Sequence, residues 1–308
     1  MSQKVNQIIA QAHEAIGSVI LGKDRQIRLA LSAILAQGHL LIEDLPGMGK
    51  TTLSQALSKV LGLEYSRIQF TSDLLPSDVI GASIFEQDQQ RFKFHPGPVF
   101  SQVLLADELN RATPKSQSAL LEAMEEGQVS VDGTSHPLPK PFFVIATQNP
   151  QTQTGTFPLP ESQLDRFLMR FSLGYPDPKS ELALLKGNNG RHAMSQLKPV
   201  MNSDQLMKIQ QLVPQVQATD SLLDYVQRLV AKTREDEDCQ LGLSPRGALS
   251  LLRSAQAWAL VQGRNHVMPE DVQAVFVPVA GHRLVGRRES QGDTLARNLL
   301  AQVEVITG

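Results

Sequence analysis

EDLPGMGKTT, residues 43–52, is one letter short of the phosphate-binding pattern G-x-x-x-x-G-K-[ST], because Asp44 stands where its first glycine belongs. The remainder is intact. A phosphate loop needs inward-facing backbone N–H groups, a helix N-terminus behind them, and a lysine that reaches the outer phosphates. Gly47 and Gly49 let the backbone curl around an anion with no Cβ in the way. Lys50 suits the β- and γ-phosphates, and the Thr51 hydroxyl suits Mg2+. The bland alternative is a turn that happens to read G-x-G-K-T, and the flanks weigh against it. HLLIED (39–44) is an apolar run suited to a buried strand. Leu53, Ala56, Leu57, Val60 and Leu61 then recur at helical spacing until Gly62. A glycine loop between a strand and a helix is the context the motif requires.

Further strand-like runs lie at YSRIQF (65–70), QVLLAD (102–107) and FFVIAT (142–147). They are rich in β-branched and aromatic residues and alternate little, as expected of parallel strands buried on both faces. Between the last two, PKSQSALLEAMEEG (114–127) reads as a helix opened by Pro114 and closed by Gly127. Residues 1–36 read as helices broken at VILGKD. This alternation predicts an α/β nucleotide-binding domain over 1–176, with a mainly parallel sheet flanked by helices. After GYPDP (174–178) helical patterns dominate, at 178–187, 203–213, 220–234, 245–262, 269–277 and 293–305. Ser203 is a candidate cap, and Pro269-Glu270-Asp271 starts another helix. The expectation for 177–308 is a smaller all-α lid domain.

Composition narrows the function classes. The chain has 308 residues, 41% hydrophobic and 19% charged, as in folded globular proteins. A net charge of −2 gives no overall positive field to recruit nucleic acid. The single cysteine, Cys239, follows the acidic run 235–238, so an inert thiol in a reducing compartment is expected. No signal-peptide shape opens the chain, and no apolar run nears the roughly eighteen residues of a membrane span. A cytoplasmic location is expected.

A metal-dependent phosphoryl-transfer site also needs a carboxylate for the metal and a group that positions water. VLLADE (103–108) supplies both at a strand end: Asp107 for Mg2+, Glu108 to orient or deprotonate water. Alone, two acids after a strand are more often a solvated turn. Together with the phosphate loop they are far more specific. In VIATQNP (144–150), Asn149 follows another buried strand and ends at the same carboxyl edge, where open parallel sheets bind ligands. An Asn-Pro turn is its bland alternative.

These segments, with ILGKDRQI (20–27), FTSDLLPSDVIGA (70–82), LADELNRATPKSQSALLEAMEEGQVSVDG (105–133), ATQNPQTQTGTFPLPESQLDRFLMR (146–170) and LSPRGALSLLR (243–253), resemble the MoxR family of AAA+ ATPases over most of the chain. The resemblance implies ATP and Mg2+ as cofactors. It implies that Pro46, Gly47, Met48, Gly49, Lys50, Thr51 and Thr52 form the Walker A loop, with Gly22 near the adenine. Thr51 and Asp107 would serve the metal, Glu108 would activate water, and Asn149 would be sensor 1. Arg166, in LDRF, matches the arginine finger given to a neighbouring subunit, with Arg170 one helical turn on as the backup. Arg246, in LSPRG, matches sensor 2. On local grounds Arg166 reads as a helix-surface partner of Asp165 or Glu161, and Arg246 as a solvated arginine at a helix start. Hairpin insertions are expected at 81–99 and 128–139, with Asp132-Gly133 as a tight turn. In the first, Phe92 and Phe94 are candidate pore contacts or, more simply, one packed strand face.

Two letters depart from the family. AGHRLVG (280–286) replaces a common RHR, and Met268 stands where Ser or Thr would cap better. The resemblance also implies a homo-oligomeric ring, expected to be a hexamer, and a client or adaptor carrying a von Willebrand factor A domain. A chelatase motor subunit, a nucleic-acid translocase and a non-hydrolysing scaffold are the competing readings. The near-neutral charge, the closer match of the quoted segments and the presence of both Glu108 and Arg166 rank them lower. Asp44 is expected to turn away from the nucleotide and to bond nearby backbone or a basic side chain, since a carboxylate beside polyphosphate is unfavourable.

Overall fold

The computed structural model describes residues 3–149, 156–186, 190–287 and 292–305. The part of the ATQNPQTQTG motif at 150–155 lies outside them. Two helices come first, α1 (Gln3–Gly17) and α2 (Asp24–Leu35), then β1 (His39–Glu43), α3 (Lys50–Val60), β2 (Tyr65–Gln69) and α4 (Pro76–Ile80). A hairpin follows, β3 (Gly81–Glu86) and β4 (Arg91–Pro96), then β5 (Val103–Asp107) and α5 (Pro114–Glu126). A second hairpin, β6 (Gln128–Val131) and β7 (Thr134–Pro137), leads to β8 (Phe143–Gln148), the one-turn α6 (Glu161–Leu164) and β9 (Phe167–Phe171). The remainder is helical: α7 (Pro178–Leu185), α8 (Gly190–Gln196), α9 (Ser203–Gln210), α10 (Asp220–Glu235), α11 (Pro245–Val261), α12 (Pro269–Ala280) and α13 (Gly292–Gln302). Two short strands, β10 (Cys239–Leu241) and β11 (Val285–Gly286), pair antiparallel among them.

The main sheet is parallel in the order β2-β5-β8-β1-β9. Period-two alternation sends its apolar residues to two cores. Leu40, Ile42, Leu105 and Ile145 enter one, Leu41, Leu104, Ala106 and Val144 the other, where they meet Leu120, Leu121 and Met124 of α5. The first core continues past residue 177. It includes Leu251, Ala255 and Trp258 of α11 and Val272 and Phe276 of α12. Helix α11 packs on α2, and α12 packs on β9. The lid helices therefore share the core of the sheet's first face.

Several expectations change. YSRIQF is a strand, but β2 lies at the sheet edge and buries only Ile68. Arg166 and Arg170 do not share a helix. FLMRF is the edge strand β9, with Arg170 opposite Leu41 of β1. Asn202, not Ser203, caps α9: its side chain accepts from Gln205 N at 2.9 Å, and the Gln205 amide returns to Asn202 N at 3.0 Å. At Met268 the missing cap is made good by Asp271, whose Oδ2 accepts from Met268 N at 2.8 Å. Helix α12 also passes Pro278 and ends at Ala280.

Both hairpins form. Asp132 and Gly133 take φ of 50° and 77°, the left-handed pair a two-residue turn needs. Phe94 stacks on His136 of the second hairpin at 3.9 Å, so the hairpins brace each other there. Phe92, on the same strand face, stays 71% exposed.

Candidate active site

Gly47 and Gly49 hold φ of 86° and 91°, and Gly49 immediately precedes α3. A Cβ at either would meet nothing within 4 Å. The glycines are therefore required by the backbone turn, and the space over the loop is open to a ligand. Lys50 begins α3, is buried, and donates from Nζ to the Asp44 carbonyl at 2.6 Å. Burial lowers the Lys50 pKa from 10.5, opposed by the charges of Asp44, Asp107 and Glu108. An ammonium so placed gains most from a bound polyanion. The Asp44 carboxylate turns away from the loop: it accepts from Gly174 N at 2.8 Å and Leu45 N at 3.0 Å.

Pro46, Gly47, Gly49, Lys50, Thr51 and Thr52 share a cavity of about 340 Å3 with Arg67, Asp107, Glu108 and Asn149. Asp107 Oδ1 accepts from the Thr147 hydroxyl at 2.6 Å, and Oδ2 accepts from Arg67 Nη2 at 2.7 Å. Glu108 sits at φ 56°, its N–H donating to Thr147 Oγ1 at 2.8 Å. Its Oε2 accepts from Arg111 at 2.8 Å, and its Oε1 is 3.4 Å from Asn149 Nδ2. Asn110 Nδ2 donates to the Asn149 carbonyl at 3.1 Å. The Thr51 hydroxyl and the Asp107 carboxylate are hard oxygen donors on one cavity. They fit Mg2+, which takes one or two side-chain ligands beside phosphate oxygens. Arg67, Thr147, Asn110 and Arg111 escaped the sequence reading. Arg67 stands in an edge strand, and its role exists only through β2–β5 pairing.

An adjoining cavity of about 500 Å3 is lined by Val19, Ile20, Leu21 and Lys23 with Met48, Gly49, Thr52 and Pro176. Its apolar wall and its continuity with the loop suit a purine. Gly22 is not among its lining residues. Its φ is +70°, and a Cβ there would stand 2.4 Å from Asp177 Oδ2 and 2.5 Å from Ser180 Oγ, so it permits close approach of α7.

Arg166 and Arg246 line neither cavity. They share a separate one of about 300 Å3 with Glu125, Asp165, Arg253 and Arg283. Arg166 Nη1 lies 2.9 Å from Glu125 Oε2 and donates to the Leu121 carbonyl at 2.6 Å. Its partner is thus Glu125, neither Asp165 nor Glu161. Arg246 Nη1 donates to Glu125 Oε1 at 3.1 Å. Arg170 instead bonds Glu43 at 3.1 Å and Asp293 at 2.5 Å, tying β9 to β1 and α13. Arg283, of the departing AGHRLVG segment, is buried. It donates to Asp165 Oδ1 at 2.6 Å and to the carbonyls of Phe167 at 2.7 Å and Leu168 at 3.1 Å. It therefore clamps the chain on both sides of Arg166. Neighbouring His282 is buried, and its pKa is pushed well below 6.5 by desolvation and by the Arg283 charge.

Comparison with known proteins bears on the family and the fold. Residues 39–169 match the ATPase family associated with various cellular activities, and residues 231–302 match the AAA lid domain. The chain is 44% identical to the uncharacterised protein YeaC of Bacillus subtilis, over 98% of this chain and 96% of that one. It is 39% identical to chaperone MoxR1 of Mycobacterium tuberculosis, over 92% of this chain and 77% of that one. It is 34% identical to protein MoxR of Paracoccus denitrificans, over 89% and 87%. A crystal structure from Cytophaga hutchinsonii, provisionally described as an ATPase, superposes with a TM-score of 0.89 at 36% identity, over 99% of this chain and 96% of that one. Among the described residues no helix is long and apolar enough to cross a membrane. With a parallel five-stranded sheet, a glycine loop at its carboxyl edge and a helical lid, this chain belongs to the MoxR family of AAA+ ATPases.

Proposed function

We propose that this protein hydrolyses ATP at interfaces between copies of itself in a ring, expected to be a hexamer, with residues 1–176 as nucleotide-binding domain and 177–308 as lid. The work done is chaperone-like remodelling or maturation of protein complexes, in line with the relative named a chaperone. A cytoplasmic setting and a partner with a von Willebrand factor A domain belong to the same reading. The observation that carries it is the division of the site. Lys50, Asp107, Glu108 and Asn149 meet in one cavity, while Arg166 and Arg246 meet in another. The second cavity supports a role toward the nucleotide of a neighbouring copy.

In this reading the loop amides and Lys50 bind the phosphate chain, and the α3 N-terminus adds its partial positive charge. Bound Mg2+ supplies positive charge to the phosphate oxygens, and Thr51 and Asp107 are the residues that would hold it. Glu108 takes the proton of the attacking water, for which its carboxylate must share or release Arg111. Asn149, steadied by Asn110, orients that water and senses the γ-phosphate. Arg166 and Arg246 stabilise the charge that spreads over the transferring group, a contribution of roughly a thousandfold or more for an arginine finger. Lid movement then reaches the two braced hairpins.

Mixing tests the division. Lys50→Ala and Arg166→Ala proteins are each expected to lack ATPase activity, and their mixture to regain a measurable fraction. No recovery, with co-assembly confirmed by native mass measurement, would overturn the shared-site reading.

A further inference from the structure

Glu125 lies in the last turn of α5, where the helix end carries negative partial charge. A carboxylate is disfavoured there unless cations answer it. Two do, and they come from different parts of the chain. Arg166 follows α6 and reaches Oε2, while Arg246 opens α11 and reaches Oε1. Both use Nη1, which leaves each Nη2 clear of the contact. Two guanidiniums at one point repel each other unless a counter-charge separates them. The acids lining this cavity are Glu125 and Asp165, and Asp165 is engaged by Arg283. Glu125 is therefore the counter-charge for the pair. The contact is half-exposed, with the Glu125 side chain at 36%, so its contribution to folding is small.

We infer that Glu125 is a positioning residue that gathers a finger from the α/β core and an arginine from the lid into one unit for the neighbouring copy's nucleotide. It fixes one amino group of each arginine and leaves the other to meet phosphate oxygens. Through it, lid position and finger position are set together. This inference rests on the shared-site reading above, and the experiment separates the two.

The test uses the mixed rings. In the Lys50→Ala plus Arg166→Ala mixture, the productive interfaces take their arginines from the Lys50→Ala chains. Adding Glu125→Gln to those chains is expected to lower the recovered kcat about ten- to a hundredfold, the usual cost of a small misplacement in a reacting site. The KM for ATP, set by the other chain, should stay within twofold. Adding Glu125→Gln to the Arg166→Ala chains falls on half-sites already without a finger, and should change the recovered activity less than twofold. Thermal midpoints and native masses of all chains show whether folding and assembly persist. Equal losses from either chain, or no loss from either, would overturn the positioning role. Failure of the parent mixture to recover would overturn the shared-site reading, and the inference with it. A Glu125→Ala variant that raises the recovered kcat would show that Glu125 restrains the arginines instead, and would equally overturn it.

Discussion

At position 44 the chain departs from the usual phosphate loop, and a single hydrogen-bond set explains the departure. The Asp44 carboxylate ties the strand end to Gly174 N and Leu45 N, while its carbonyl holds the Lys50 ammonium. Asp44 thus fastens the loop to the chain entering the lid. Asp44→Gly would restore the written motif yet leave the part-buried Gly174 N–H without its acceptor. It is expected to destabilise the fold by about 1–3 kcal/mol, read from urea unfolding, with no gain in ATP affinity. Unchanged stability would show that the bond carries nothing. The sequence indicated that Asp44 must turn aside, because a carboxylate facing polyphosphate is unfavourable. Its partner, 130 residues away in sequence, was invisible to spacing.

At the scale of elements, strand β1 is secured by His39. Val144 N–H donates to His39 Nδ1 at 3.1 Å, and Nε2 meets the Met124 carbonyl at 3.2 Å, which sets the ring as the Nε2–H tautomer. A proton on Nδ1 would break the link to β8, and burial moves the His39 pKa from 6.5 to about 4. The sign follows: the unfolded chain binds this proton near pH 6.5 and the folded chain only near pH 4. The stability His39 supports is present above about pH 6.5 and is lost as pH falls toward about 4. Buried His282 acts in the same direction. Thermal midpoints measured across that window should fall, and less steeply in His39→Asn, whose amide oxygen still accepts from Val144 N–H. Parallel slopes in the two proteins would refute the assignment to His39. The central strands, β1, β5 and β8, were legible because their runs are continuously apolar. β9 was not: FLMRF carries an arginine and follows a helix start, so local pattern did not distinguish it from a helix.

In the whole molecule, the lid docks through α11 on α2 and α12 on β9, and Arg246 of α11 meets Arg166 of the core in a cavity apart from the loop. A single chain holds the glycine loop, Asp107, Glu108 and Asn149 on one cavity and Arg166 on another, and in the proposed reading it lacks a finger for its own nucleotide. Glu108→Gln is expected to bind ATP as well as the parent, to hydrolyse it at less than about a hundredth of the rate, and to accumulate as an ATP-dependent assembly on size-exclusion chromatography. Near-normal turnover would remove Glu108 from its role.

The sequence by itself determined the α/β class, the glycine loop, the acid pair, the Asn149 position and the two hairpins. Each is written in contiguous residues whose spacing carries its own geometry: a strand, a turn of fixed φ, a helix start. The tertiary structure decided which arginines cluster, that Glu125 joins two of them, that Arg67 and Thr147 hold Asp107, and that Arg283 clamps the segment around Arg166. Those contacts join residues far apart in the chain: strand pairing sets the partners of Asp107, and the way the lid helices bury their apolar faces on the sheet sets those of Arg246 and Arg283. Periodicity reports that such a face exists, and packing alone decides where it lands.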